Sequence, residues 1–261
     1  MTNIHSTAQV DPGAKLGADV QIGPFCTIGP DVELGDRALV MSHVAIEGRT
    51  KIGAECKIFP FASVGLPPQD IKYNNEPSSV TIGPNTLIRE HVTIHRGTSS
   101  GHMATHVGAN CFLMIGAHIA HDCHIGDNVT LVNGVTLGGH VSIGDNAIIG
   151  GLSAVHQFVR IGHNAMIGGM SGVESDVIPY GMAFGERACL QGINIVGLKR
   201  GGVAKERIRD VLQAYETLFH GTGTQAERTG KVATGYVGHQ QVGEILSFME
   251  GPSTRALLKP K

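Results

Sequence analysis

The chain has 261 residues, 41% hydrophobic and 16% charged, with a formal net charge of −2 at pH 7. These proportions describe a folded globular protein, exclude a disordered one, and argue against nucleic acid as a partner. Thirty-seven glycines, no tryptophan and only 5% aromatics exclude a wide core filled by large rings and favour a narrow, repetitive one.

From the first residues an aliphatic side chain recurs every six positions: Ile4, Val10, Leu16, Ile22, Ile28, Leu34, Val40, Ile46, Ile52, Ile58 and Val64. This period suits neither an amphipathic helix nor a long plain strand, but it suits a short strand followed by a corner. The aliphatic residue and a small one four positions later, as at Ala8, Cys26 and Thr50, are expected to point inward. Glycines and Asn-Gly-type pairs are expected at corners that need a positive φ, and stacked coils bury what one coil cannot. Cys26, Cys56, Cys111 and Cys123 all fall on the small inward position and read as inert packing thiols. The fifth cysteine leaves an odd number with no CxxC pair, so no disulfide framework is expected.

After Val64 the stretch "GLPPQDIKYNNEPSSV" interrupts the series near residues 65–81 and brings Asp70 and Lys72. The period returns at Ile82, Ile88 and Ile94, and slips once through an excursion within 97–106. It then runs from Val107 to Val173. Loops inserted into a regular scaffold are where function usually sits. In "AHIAHDCHIGDN", His118, His121 and His124 are spaced by three; on a helix they would form a metal-binding stripe, which a six-residue coil excludes.

Beyond residue 185 the spacing becomes helical. "AKERIRDVLQAYETLFH" and "QQVGEILSFMEG" each carry one apolar face, with a weaker helical segment between them. Two units are expected: a coil over 1–185 and a helical subdomain over 186–261 that closes the open end of the stack. Lys and Arg number 9 against 15 Asp and Glu through residue 185, and 11 against 7 afterwards, so a basic tail follows an acidic body. No apolar run is long enough for a membrane span and the start lacks a signal peptide, so the cytoplasm is expected.

The hexads resemble the left-handed parallel β-helix of the hexapeptide acyltransferases, and the handedness is part of that resemblance. The ordered set "TIHRGT", "AHIAHDC", "GGHVSI", "AVHQF", "GGMSGV" and "NIVGLKR" resembles, more narrowly, the UDP-N-acetylglucosamine O-acyltransferases that begin lipid A synthesis. In that family three hexads make one triangular coil, so residues 18 apart stack. On this geometry His121 lies below Gly139 and Gln157, Asp122 below His140, and Gly138 below His156. With a seven-residue excursion, His95 falls beneath Ala120.

The resemblance implies transfer of an (R)-3-hydroxyacyl group from acyl carrier protein to the 3-position of UDP-N-acetylglucosamine without a covalent acyl-enzyme. It implies His121 as general base, Asp122 as its partner and the Gly139 N–H as oxyanion donor. It assigns substrate contacts to Asp70, Lys72, His95, His118, His140, His156 and Gln157, the end of the acyl groove to Gly169, and nucleotide contacts to Asn194 and Arg200. Val196 and Gly201 depart from the family, where an acidic and a second basic residue are common. A homotrimer with sites between coils is implied, with no metal or dedicated cofactor, the acyl group riding on the carrier's phosphopantetheine. The basic tail and Arg160 are then expected to meet the acidic carrier. Two rivals stay open: a carbonic-anhydrase-like hydrase binding zinc through histidines shared between subunits, and a non-enzymatic β-helical scaffold.

Overall fold

Nearly every hexad forms a two-residue strand and a corner, as at Gln21–Ile22, Thr27–Ile28 and Glu33–Leu34 in the computed structural model, which describes residues 1–261. Successive strands turn onto three different sheets of 11, 9 and 8 strands. Strands 18 residues apart pair in parallel register, as Gln21 with Leu39 and Thr136 with Ala154. The result is a left-handed parallel β-helix of triangular section.

The aliphatic positions line the axis: Ile46, Ile58, Ile88, Leu113, Ile119, Ile125 and Leu131 are completely buried. Burying each such side chain contributes about 2 kcal/mol relative to exposure. Cys26, Cys56, Cys111 and Cys123 share that interior, and burial pushes the thiols of Cys56 and Cys111 up to about 11 and that of Cys123 to about 12. They are packing groups, as the period implied.

Some glycines, such as Gly48, Gly116 and Gly134, take the expected positive φ at corners, but most in the coil do a different job. Corners with positive φ are held mainly by residues with side chains, including Asn85, Asn110, Asn128, Asn146 and Asn164 along one edge and Phe25, Phe61 and Leu152 along another. Asparagine tolerates this conformation, and a larger residue pays a modest steric penalty while its side chain points outward. Most glycines that follow an aliphatic residue sit where the next rung approaches too closely for a Cβ. A methyl on Gly53 would lie 2.5 Å from the Pro84 nitrogen, and one on Gly35 2.5 Å from that of Ala54.

Ile82 pairs with Ile52, thirty residues back instead of eighteen, so the first excursion adds twelve residues without disturbing the stack. Ile119 pairs with Ile94, a separation of 25, so the second adds seven, the excursion length that places His95 beneath Ala120. The first sheet continues past residue 185 through an antiparallel hairpin, Gly181–Phe184 with Cys189–Ile193. Four helices follow: α1 (Ile195–Arg200), α2 (Lys205–His220), α3 (Gln225–Gly235) and α4 (Gln240–Glu250). Ile208, Val211, Ala214, Tyr215 and Leu218 form the buried face of α2, which packs on the strand Cys189–Ile193 and on α3 and α4. The chain then returns to the coil, where Asp176 bridges Leu257. No helix is long and apolar enough to cross a membrane.

Candidate active site

The corner between the second and third sheets carries His121 and Asp122 on one rung, Gly139 and His140 on the next, and Gln157 and Phe158 on the third. Backbone bonds lock the rungs, His140 N donating to His121 O at 3.0 Å and Phe158 N to Gly139 O at 3.0 Å. Asp122, His140 and Phe158 all take a positive φ, which turns their side chains outward in one column. The rings of His140 and Phe158 stack at 4.3 Å, and His121 meets His140 edge-on at 5.0 Å.

His121 Nδ1 lies 2.9 Å from Asp122 Oδ2. With the carboxylate ionised, Nδ1–H donates and the Nε2 lone pair is left facing outward. Asp122 is buried and strongly held: its carboxylate also accepts from Thr98 N at 3.0 Å, Thr98 Oγ1 at 2.6 Å and His102 N at 2.8 Å. Burial pushes its pKa up, but the bonds from Thr98, His121 and His102 outweigh that and leave it below the usual carboxylate value. The second excursion supplies these donors, and Gly97 and Gly101 let it close in: a Cβ on Gly101 would fall 2.3 Å from Asp122 Cγ. Gly139 is constrained in the same way, since its Cβ would lie 2.6 Å from His121 Nε2. The Gly139 N–H has no intramolecular partner.

The first excursion forms the facing wall. Gln69, Asp70, Ile71 and Lys72 line, with Ser100, His121, His140, Gln157 and Phe158, an open cleft of about 520 Å³. The two loops are tied together where Ser99 Oγ donates to Glu76 Oε1 at 2.6 Å. His95 and His118 lie on the adjoining face of the second sheet, their rings edge-on at 5.0 Å, with His118 Nδ1 2.7 Å from Thr93 Oγ1. Burial lowers the pKa of His95 to about 4, helped by His118 and His121, and burial likewise lowers His118 and His140. Three neighbouring imidazoles are thus kept neutral around His121.

Of the residues singled out in the sequence, Asp70, Lys72, His121, Asp122, Gly139, His140 and Gln157 converge here. His156 sits beside Gln157 one rung above Gly138. Gly169 stands at a different corner, exposed beside Gly151, between the exposed side chains of Leu152 and Met170. Asn194 caps α1, its Oδ1 accepting from Gly197 N at 2.9 Å and its Nδ2 donating to Asn164 O at 3.0 Å. Arg200 ends that helix in solvent, and Val196 is exposed on its first turn. None of the three lines the cleft of this chain. Arg160 is not free for a partner: its Nε donates to buried Asp176 at 2.7 Å and its guanidinium lies 4.3 Å from the Phe248 ring centre, which fixes the tail to the coil. Thr98, Ser100, Gly101, Glu76 and Phe158 went unnoticed in the sequence, although the length of the second excursion and its two glycines were visible there.

His121, Asp122 and His140 are close enough to suggest a cation site. The Asp122 carboxylate already accepts four hydrogen bonds, three on Oδ2 and one on Oδ1, which commit it to the second excursion and to His121 and leave two imidazoles within this chain, short of the three protein ligands of a catalytic zinc site.

The repeats and the site together define a hexapeptide-repeat transferase: residues 13–48 and 104–139 match the family described as bacterial transferase hexapeptide (six repeats). Residues 176–258 match the family described as UDP N-acetylglucosamine O-acyltransferase, domain 2. An acyl-[acyl-carrier-protein]-UDP-N-acetylglucosamine O-acyltransferase of Rickettsia rickettsii (strain Sheila Smith) is 58% identical, over 99% of this chain and 98% of its own. Among solved structures, the UDP-N-acetylglucosamine acyltransferase of Campylobacter jejuni superposes with a TM-score of 0.93 at 36% identity, covering 99% of this chain and 100% of that one. That of Moraxella catarrhalis RH4 gives 0.93 at 38%, covering 98% and 99%. The chain belongs to the UDP-N-acetylglucosamine O-acyltransferase family, and it is an enzyme.

Proposed function

We propose that the chain transfers an (R)-3-hydroxyacyl group from the phosphopantetheine of acyl carrier protein to the 3-position of UDP-N-acetylglucosamine, the first step of lipid A synthesis, in the cytoplasm. The observation that carries the mechanism is the His121–Asp122 pair, packed over Gly139 at the wall of the cleft. His121 Nε2 takes the proton of the sugar nucleophile as it attacks the thioester carbonyl, and Asp122 stabilises the imidazolium that forms. The developing oxyanion is received by the unclaimed Gly139 N–H. Collapse expels the pantetheine thiolate, which takes the proton back from His121. Neutral His95, His118 and His140 supply hydrogen bonds without placing another positive charge beside the base.

Lys72 reaches into the cleft as a cation for phosphate oxygens. Asn194 and Arg200, which lie outside this chain's own cleft, meet the nucleotide in a cleft completed by a neighbouring subunit. A homotrimer supports that arrangement, and one edge of the coil offers a surface for it: Phe25, Phe61, Leu152 and Met170 are exposed along a single stacked corner. No metal and no resident cofactor enters this scheme.

The deciding experiment is a matrix of 3-hydroxyl and 3-amino UDP-sugars against hydroxyacyl carrier proteins of several lengths, with chelator-treated enzyme. Product at the 3-position of UDP-N-acetylglucosamine supports the reading. Turnover that disappears with the chelator and returns with zinc would replace it with a metal mechanism.

A further inference from the structure

The last residues of the chain contribute to the site in a way that none of the motifs suggested. After α4 the chain runs back along the coil and is stitched to it by backbone bonds: Asp176 N donates to Ala256 O and Leu258 N to Asp176 O, both at 2.8 Å, and Leu190 N donates to Lys259 O at 3.0 Å. Leu258 is buried, and Asp176, itself buried, takes the Arg160 amide and guanidinium with its two carboxylate oxygens. This short strap is therefore fixed on the coil itself. It brings Arg255 against the rung that borders the cleft at Gln157, where Nη2 lies 2.7 Å from His156 Nδ1 and Nε donates to Gln157 O at 2.9 Å.

We infer that Arg255 is a positioning residue for the acyl-transfer site, holding His156 in one tautomer and one orientation with its Nε2–H presented to the substrate. A guanidinium is always charged and only donates, so Nδ1 of His156 must accept and the ring proton must sit on Nε2. The second bond, to the Gln157 carbonyl, makes the grip two-pronged and fixes the ring plane relative to the rung that lines the cleft. Below His156 on the same column come Gly138 and Ala120, and then His95, so the ring stands at one end of a trough floored by two small residues. Without the guanidinium, Nδ1–H could instead donate to Gln157 O, 3.3 Å away, and Nε2 would then offer a lone pair in place of a donor. Arg255 removes that choice from a position 99 residues away in sequence.

This inference rests on His156 contacting the substrate, and the test separates the two. In the full-length enzyme, ¹⁵N spectra of the histidine side chains are expected to show His156 as the Nε2–H tautomer, and Arg255→Met to convert it to a mixture. The same variant should lower kcat/KM by roughly tenfold, with the melting temperature unchanged because the strap's backbone bonds remain. Arg255→Lys, which can donate to His156 or to Gln157 but not to both in the same fork, should recover part of the loss. In a His156→Gln background, Arg255→Met should cost nothing further. An unchanged tautomer in Arg255→Met, or an undiminished loss in the His156→Gln background, overturns the role given to Arg255. A His156→Gln enzyme as active as the parent overturns the substrate contact on which it rests, even if the tautomer shifts.

Discussion

Replacing Gly139 by alanine tests whether the position of the His121 ring, and not merely its presence, sets the rate. The added methyl would sit 2.5 Å from Cε1 and 2.6 Å from Nε2 of His121, where carbon contacts prefer about 3.5 Å or more, so the ring must retreat by about 1 Å. It has somewhere to go, because its side chain is 16% exposed, but moving breaks the 2.9 Å bond to Asp122, which three further donor bonds from Thr98 and His102 prevent from following. A misplacement of that size costs on the order of 10²-fold in rate. The backbone does not oppose the change: Gly139 is absent from the positive-φ positions, so alanine is conformationally acceptable there and the fold should be retained. Steady-state transfer from 3-hydroxyacyl carrier protein to the UDP-sugar is expected to show kcat/KM down by about 10²-fold with little change in melting temperature. In a His121→Ala background the same substitution should add almost nothing. A Gly139→Ala enzyme within a few-fold of the parent would refute the reasoning, because the base would then tolerate displacement.

His121→Ala itself should remove roughly 10²- to 10⁴-fold of kcat while UDP-sugar binding, measured by calorimetry, stays largely intact; retained turnover would dismiss His121 as base. Stability should fall on acidification: buried His95 resists protonation until about pH 4, whereas an unfolded histidine titrates near 6.5, so the unfolded chain binds the extra proton in between. The loss through that window is up to about 3 kcal/mol at this site, and His95→Gln should flatten it in denaturant titrations. Light scattering should give three times the 27.4 kDa of one chain, and an active monomer would reject a shared site. A Cβ placed on Gly169 would come 3.2 Å from the Gly151 carbonyl, a close contact that a small shift relieves, with no other residue beyond its chain neighbours within 4 Å, so Gly169→Met should depress use of long 3-hydroxyacyl donors far more than short ones. At about 0.8 kcal/mol per buried methylene, four carbons span roughly two orders of magnitude in kcat/KM. An unchanged ranking of donors would place the end of the groove elsewhere.

Periodicity alone was enough to read the coil, because each hexad repeats the same local problem: one inward aliphatic residue, one small inward residue and one corner. The stacking of His121, Gly139 and Gln157 followed once three hexads per turn was supplied by resemblance, since a rigid 18-residue repeat converts sequence distance into spatial neighbourhood. The phase slip after Ile94 restricted the length of the second loop to one residue more than a multiple of six, and the pairing of Ile94 with Ile119 selects seven. Its purpose was invisible, because Thr98 and the His102 amide reach Asp122 only when the loop folds back, and no period governs an insertion. The recurring glycines were legible as a pattern but not as a cause: crowding between rungs, which depends on how closely two coils stack, explains them better than the sign of φ. Arg160 looked like a surface cation until packing paired it with Asp176 and Phe248, and Arg255 looked like part of a basic tail until the strap carried it to His156. Local repetition writes itself into sequence residue by residue, whereas a contact between distant segments exists only after both have been placed by the rest of the fold.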